Sequence, residues 1–261
     1  MRPSRILARI RAGEPALLAS QCFPQPVLAE HASVRGYDGI WLDQEHQFWN
    51  PGDLRATLHI IQLLGLDAII RPPTREKAAL YQLLDQGATG VLLPHINTPD
   101  EARAAVQALK FPPLGERGLD GCGLDTRHAT AIPADYPATA NRERFLAVMI
   151  ESPAAVRQAD AIAAVAGVDI LFFGPADLFL RLGRPFNPED AEFREAERIV
   201  DAACRRHGKA WGRPCISADD LARTLAAGAR LVVHGSDFRA LTSHLRDCGA
   251  DFARLRPRGG T

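Results

Sequence analysis

The sequence predicts an α/β fold, a single-domain (β/α)8 TIM barrel, on three observations. Apolar blocks of strand length recur eight times, a helical pattern follows most of them, and no shift in composition marks a second domain. Eight strand–helix alternations in 261 residues specify a closed barrel better than a doubly wound sheet. One domain of this length buries roughly three quarters of its unfolded surface, so its core needs no staple.

The elements follow in order. The first eleven residues carry Arg2, Arg5, Arg9 and Arg11 and no acid. That pattern suits a transit peptide or a short amphipathic helix with Ile6, Leu7 and Ile10 on one side. No apolar stretch or small-residue cleavage site follows, which favours a helix within residues 1–14. The strands are expected at Ala16–Ser20, Gly39–Leu42, Asp67–Arg71, Gly90–Pro94, Phe145–Glu151, Asp169–Gly174, Lys209–Arg213 and Leu231–Gly235. Continuous apolar runs bounded by turn residues suit strands buried on both faces. Helices are expected at Asp53–Leu64, Arg75–Gln86, Asp100–Leu109, Ala154–Val165, Ala191–Arg206 and Ala218–Ala226. Thr98 with Glu101 reads as a capping box. The connection from Ile96 to Arg144 is long, with four Gly in Gly115–Gly123. The tail 254–261, rich in Arg, Pro and Gly, is expected to fray.

Composition excludes several classes. Lys and Arg total 31, Asp and Glu 31, with 46% hydrophobic and 24% charged residues. Disorder, collagen and disulfide scaffolds are ruled out. Zero formal charge argues against nucleic acid or an anionic membrane as partner. Cys22, Cys122, Cys204, Cys215 and Cys248 form no C-x-x-C pair, so a zinc site or disulfide framework is disfavoured and a cytoplasmic location is expected. No apolar run approaches the ~18 residues of a membrane span.

Chemistry in such barrels sits at the carboxyl ends of the strands. Those ends carry Asp43, Glu45 and His46, then Arg71, then Pro94, His95 and Asn97. Glu151 and Ser152 follow, then Gly174, Pro175 and Asp177, then Arg213 and Pro214, then His234 and Ser236. Glu151 and Asp177 follow adjacent strands. Two close carboxylates repel unless a cation sits between them, and a hard divalent metal suits an oxygen-only set. A rim Glu paired with Lys or Arg is the alternative. His46 is a candidate base or a histidine satisfied by a loop carbonyl. Arg71 ends an apolar strand and needs an anion, either a structural carboxylate or a developing enolate oxygen.

These residues bring a family into view. Gly36–His46 (GYDGIWLDQEH), Leu83–Pro94 (LLDQGATGVLLP), Phe111–Gly118 (FPPLGERG) and Ile150–Leu178 carry the match. Over roughly Ile10 to Phe252 the chain resembles the HpcH/HpaI aldolases, metal-dependent class II pyruvate aldolases of the phosphoenolpyruvate/pyruvate barrel superfamily. The resemblance implies Glu151 (I-E-[ST]) and Asp177 (G-P-A-D-L) as metal ligands for Mg²⁺, Mn²⁺ or Co²⁺. It implies His46 (D-x-E-H) as general base, paired with Asp85 (L-L-D-x-G-A). Arg71 then contacts the keto or enolate oxygen, and Glu45 holds a metal-bound water. Backbone N–H groups near Gly174, Pro175 and Ala176 hold the pyruvate carboxylate. The implied activity is cleavage of a 4-hydroxy-2-oxo acid to pyruvate and an aldehyde, with the reverse addition. The implied assembly is a homo-oligomer built from dimers, up to a hexamer.

The chain departs from the family at the mouth. Met149 stands where many members have Gln, and His95 where many have an apolar residue. His234 occupies a commonly apolar position, and the loop LDGCGLDTRHA, with Arg127 and His128, is longer than usual. His95 and His234 either touch substrate or hydrogen-bond neighbouring loops. Arg127 and His128 suit a lid or an oligomer contact. These departures motivate a second hypothesis, an enolate used for decarboxylation or for condensation with another oxo acid or thioester. A third is a non-catalytic carboxylate-binding barrel, against which an oriented base argues.

Overall fold

Eight apolar blocks bury both faces when their sheet closes on itself inside a ring of helices. The structure, a computed structural model, describes residues 1–256 and has that arrangement. Helix α1 (Arg5–Arg11) leads to β1 (Ala16–Gln21), α2 (Val27–Ser33), β2 (Gly39–Asp43) and α3 (Pro51–Leu63). Next come β3 (Asp67–Arg71), α4 (Lys77–Asp85), β4 (Gly90–Leu93), α5 (Pro99–Leu109) and α6 (Tyr136–Glu143). Then β5 (Phe145–Ile150), α7 (Pro153–Arg157), α8 (Ala159–Ala163), β6 (Ile170–Phe173) and α9 (Pro175–Arg181). The chain continues through α10 (Ala191–His207), β7 (Ala210–Pro214), α11 (Ala218–Ala226), β8 (Leu231–Ser236) and α12 (Asp237–Leu255). All strand pairs are parallel, and β1 pairs β8 to close the barrel in sequence order.

Strand alternation divides the core in two. Leu18, Trp41, Ile69, Leu92 and Phe172 belong to the inner cluster. Ile40, Ile70, Val91, Val148 and Leu171 belong to the outer one, beneath the helices. Near the bottom, a Cβ on Gly90 would lie 2.3 Å from the Phe145 ring, so that ring fills space only glycine leaves. Helix α1 closes this end. Ser4 caps it, and the fully buried Asp67 accepts from Ser4 Oγ at 2.7 Å and the Ile6 N–H at 2.9 Å. The Arg-rich start therefore folds as the amphipathic helix.

Several boundaries differ from expectation. The helix expected at 154–165 is two short helices meeting at Gln158, and no Gly or Pro marks the break. The helix expected from Arg75 begins at Lys77, because the Glu76 carboxylate accepts from the N–H groups of Ala78 and Ala79. The long connection holds α5, a 3-10 turn at Leu124–Thr126 and α6. Helix α12 carries the chain through Leu255, past the point where fraying was expected, and residues 257–261 of that tail lie outside the described residues. No residue of α12 is buried, and Phe238, Leu241, Leu245, Phe252 and Leu255 are exposed. Among the described residues, no helix is long and apolar enough to cross a membrane.

Candidate active site

Inward positions at the carboxyl ends of β2 and β3 place Asp43 beside Arg71, which are register partners. Arg71 is 6% exposed. Its Nε donates to Asp43 Oδ1 at 2.8 Å and its Nη2 to Oδ2 at 2.6 Å, while Nη1 lies 2.9 Å from Glu45 Oε2. Its guanidinium carbon stands 5.0 Å from the centre of the Trp41 ring. The anion that buried Arg71 needs is thus supplied by two structural carboxylates. Three of its five N–H groups serve them, a fourth meets Met149 Sδ at 4.0 Å, and one remains for a ligand oxygen. Asp43 Oδ1 also accepts from the Glu45 N–H at 3.0 Å, which fixes the turn carrying Glu45 and His46.

Glu151 follows the inward face of β5 and is 2% exposed. Its Oε1 accepts from the His95 N–H at 2.7 Å and lies 2.7 Å from His95 Nδ1. Its Oε2 is buried without a hydrogen-bond partner. Burial raises the Glu151 carboxyl above its usual pKa, opposed by His95 and reinforced by the charges of Asp177 and Glu45. Gly174 packs against it, where a Cβ would lie 2.7 Å from Glu151 Cβ and 3.1 Å from Oε2. An unpartnered oxygen amid three carboxylates is chemistry that a cation completes. Among the described residues no group of three or more His, Cys, Asp or Glu is arranged to hold a metal. Two protein carboxylates remain, a number that suits a hard cation keeping water and substrate oxygens.

Asp177 sits in the first turn of α9, 3.6 Å from Arg181 Nη1. The backbone donors expected at Gly174–Ala176 narrow to one. Gly174 N–H is spent on Ile150 O at 3.0 Å, and Pro175 has no N–H. Ala176 N–H, in the first helical turn, has no helical acceptor.

His95 adopts φ 59°, a left-handed backbone uncommon for a residue with a side chain. Its Nε2 lies 2.8 Å from Glu45 Oε1, so the imidazole bridges Glu45 and Glu151. Met149, 3% exposed, packs beneath the site with Sδ 4.0 Å from Arg71 Nη1. His46 is the most exposed of these side chains, with Nε2 3.8 Å from Glu45 Oε2.

The structure does not join His46 to Asp85. No hydrogen bond or ion pair links them among the described residues. Asp85 is bonded to the buried Arg117, which also lies 3.7 Å from Asp125 and 3.3 Å from the Tyr136 hydroxyl. Burial raises the Asp85 carboxyl, with Arg117 opposing. Asp85 lines a cavity of about 740 Å³ between α3 and α4 with Gln44, Trp49, Pro72 and Tyr81. His234 bonds a loop, with Nδ1 3.3 Å from Cys215 O. His128 likewise bonds Cys122 O at 3.1 Å. Arg213 stands one residue before the end of β7 and faces outward, held by Glu197 at 2.5 Å and Asp220 at 2.6 Å.

Two residues carry more of the site than the sequence suggested. Asp43, noted only as a strand end, clamps Arg71. Its inward parity with Trp41 was the available signal. Arg181, one turn after Asp177, donates to Glu151 O at 2.6 Å and lies 3.5 Å from His95 Nδ1. Only the i, i+4 spacing pointed to it.

A closed parallel barrel with its polar groups gathered at one mouth defines a (β/α)8-barrel enzyme. The chain belongs to the HpcH/HpaI aldolase/citrate lyase family, whose profile matches residues 23–243. It is 36% identical over 231 residues to a hydroxypyruvate/pyruvate aldolase of Sagittula stellata, covering 88% of this chain and 90% of that one. It is 37% identical over 221 residues to a 2-keto-3-deoxy-L-rhamnonate aldolase of Salmonella dublin, covering 84% and 81%. The crystal structure of an HpcH/HpaI aldolase from Desulfitobacterium hafniense superposes with a TM-score of 0.89 at 26% identity, covering 98% of both chains.

Proposed function

We propose that the chain is a divalent-metal-dependent pyruvate aldolase. It cleaves a 4-hydroxy-2-oxo acid to pyruvate and an aldehyde and runs the reverse addition. The observation that carries this reading is the buried, unpartnered Oε2 of Glu151 close to Asp177 and the clamped Arg71. Glu151 and Asp177 would hold the cation, Mg²⁺, Mn²⁺ or Co²⁺. When bound, such a cation draws negative charge from the carboxylate and keto oxygens of a 2-oxo acid.

The chain's own groups supply the rest. Arg71, immobilised by Asp43 and Glu45, directs its remaining N–H at the keto oxygen, where charge develops as the C3–C4 bond breaks. Ala176 N–H receives the pyruvate carboxylate at the start of α9. His46 takes the 4-hydroxyl proton, and Glu45 is the nearest carboxylate to steady its charged ring. A base so placed contributes ~10²–10⁴-fold. Asp85 acts away from His46, by holding the buried Arg117. Met149 and Gly174 form the floor, and His95 and Arg181 the rim.

Two further expectations join this reading. The exposed apolar side chains of α12 support a homo-oligomer in which a second copy covers that helix, which light scattering tests. The five free cysteines suit a reducing, cytoplasmic setting.

The test is pyruvate release from a panel of 4-hydroxy-2-oxo acids, with Mg²⁺, Mn²⁺ or Co²⁺ and with EDTA. Pyruvate appears with metal and stops with EDTA. Activity that survives EDTA contradicts the metal assignment, and no release from any member contradicts the aldolase reading.

A further inference from the structure

Outside the barrel, between α10 and α11, lies a cavity of about 360 Å³ with an arginine-rich wall. Side-chain direction places its lining. Arg213 points outward from β7, Arg194, Glu197, Arg198 and Asp201 share one face of α10 at three- and four-residue steps, and Arg223 comes from α11. Arg213 is 2% exposed along its side chain and forms the inner wall. Glu197, Asp220 and the Pro214 carbonyl take four of its five N–H groups, leaving one on Nη2. The carboxylates behind this wall are committed. Both Asp220 oxygens hold Arg213, and Asp201 accepts from Trp211 Nε1 at 2.9 Å and from Arg205 Nε at 2.6 Å. Three guanidiniums remain. Arg198 pairs with Glu195. Arg194 and Arg223, from different helices, share a single carboxylate, Glu189, one guanidinium at each of its oxygens. Arg223 has besides only Asp220 Oδ1, already bonded to Arg213, at 3.4 Å. Glu189 belongs to neither helix. It stands in the connection between α9 and α10, where its N–H donates to Asn187 Oδ1 at 3.0 Å, and its side chain is half exposed.

We propose that this cavity binds a small polyanion, and that the Glu189 carboxylate occupies the place of one of its anionic groups. Two guanidiniums that share one carboxylate are already arranged for an oxyanion, because each presents a planar fork of donors. Exposed ion pairs hold weakly, so a carboxylate or phosphate of the ligand displaces Glu189. A second anionic group of the ligand then meets Arg198 and the remaining N–H of Arg213. The volume of about 360 Å³ accepts a molecule of metabolite size. The ligand class is a compact molecule with two or three carboxylate or phosphate groups. Its site is formed by α10, α11 and the outward side of β7, and it does not depend on the reaction at the barrel mouth.

The experiment is calorimetric titration of the full chain with tricarballylate and with 2,3-bisphosphoglycerate, at low ionic strength where screening is weak. Wild type is expected to bind at least one probe at one site per chain, and the tighter probe tells carboxylate from phosphate. Arg194→Gln and Arg223→Gln, both partly exposed, are each expected to weaken that binding about tenfold. Glu189→Gln removes the internal competitor and is expected to tighten it roughly three- to tenfold. A gain of affinity is an outcome that misfolding does not mimic. Binding of neither probe overturns the inference, as does binding unchanged in both arginine variants. A Glu189→Gln protein that binds no tighter than wild type overturns it as well. Binding that is lost in Arg71→Lys and kept in Arg223→Gln places the probe at the barrel mouth and has the same consequence.

Discussion

Asp43 grips Arg71 through two parallel hydrogen bonds, Oδ1 to Nε at 2.8 Å and Oδ2 to Nη2 at 2.6 Å. The pair sits in register across β2 and β3, so backbone pairing sets its geometry. Arg71→Lys keeps the charge and loses the fork. We expect kcat/KM for pyruvate release to fall about 10²–10³-fold, as for loss of a fixed donor at a developing oxyanion. Arg71→Met leaves Asp43 and Glu45 without their cation and should cost ~3–5 kcal/mol of stability. Steady-state kinetics and thermal melts check the two variants.

Glu151 has a sign that can be worked out. Burial, with Asp177 and Glu45 adding, raises its folded-state pKa above the ordinary 4.5. A raised carboxyl contributes stability below its unfolded pKa, and that contribution is lost as pH rises through the folded pKa. The metal-free wild type should therefore lose ground to Glu151→Gln as pH climbs above 4.5. Melts of the two metal-free proteins at several pH values read the gap, and a pH-independent gap would contradict the prediction. Added Mn²⁺ should stabilise the wild type by ~2.7 kcal/mol at a hundred times Kd, which raises its Tm, and leave the variant's Tm nearly unmoved.

Gly174→Ala tests the packing behind that carboxylate. Gly174 has φ −102°, a conformation alanine adopts freely, so any loss is steric. The new Cβ would lie 2.7 Å from Glu151 Cβ and displace it. Overpacking of this kind costs about 1–3 kcal/mol. The Tm should drop by roughly 2–4 °C per kcal/mol, and the Mn²⁺-induced rise should shrink, which calorimetry with and without metal detects.

Asp85 and His46 separate in the same pair of measurements. Asp85→Asn weakens the hold on the buried Arg117, leaving it Asp125 at 3.7 Å, and should cost ~1–3 kcal/mol. His46 is exposed, so His46→Ala should shift stability by no more than about 0.5 kcal/mol while slowing turnover ~10²–10⁴-fold. A stability loss in His46→Ala as large as that in Asp85→Asn would mean that the two act as one unit.

The barrel was readable because strands buried on both faces leave an unbroken apolar block, such as Gly90–Leu93 or Phe145–Ile150. Parity along those blocks then separates Arg71, inward, from Arg213, outward. The strand ends gave the positions of Glu151 and Asp177, and the resemblance implied their role as metal ligands and the pairing of Asp85 with His46. What pattern did not reach were pairings across elements. Asp85 looked available to His46, yet Arg117, far along the chain, takes it. Arg181 lay one turn beyond a recognised motif. Helix α12 was passed over because its apolar residues meet no core within the chain, so no strand–helix rhythm announces it.

Proton exchange at the methyl group of pyruvate, followed by ¹H NMR in D₂O, tests the central claim most directly, since it needs no acceptor. With Mg²⁺ or Mn²⁺ (the latter removed before detection) the wild type should replace methyl protons by deuterons. Exchange should stop with EDTA, and should fall sharply in Glu151→Gln and Arg71→Lys. Exchange that continues in EDTA, or a methyl signal that persists in metal-loaded wild type, would contradict enolisation by a cation held at Glu151 and Asp177 with Arg71.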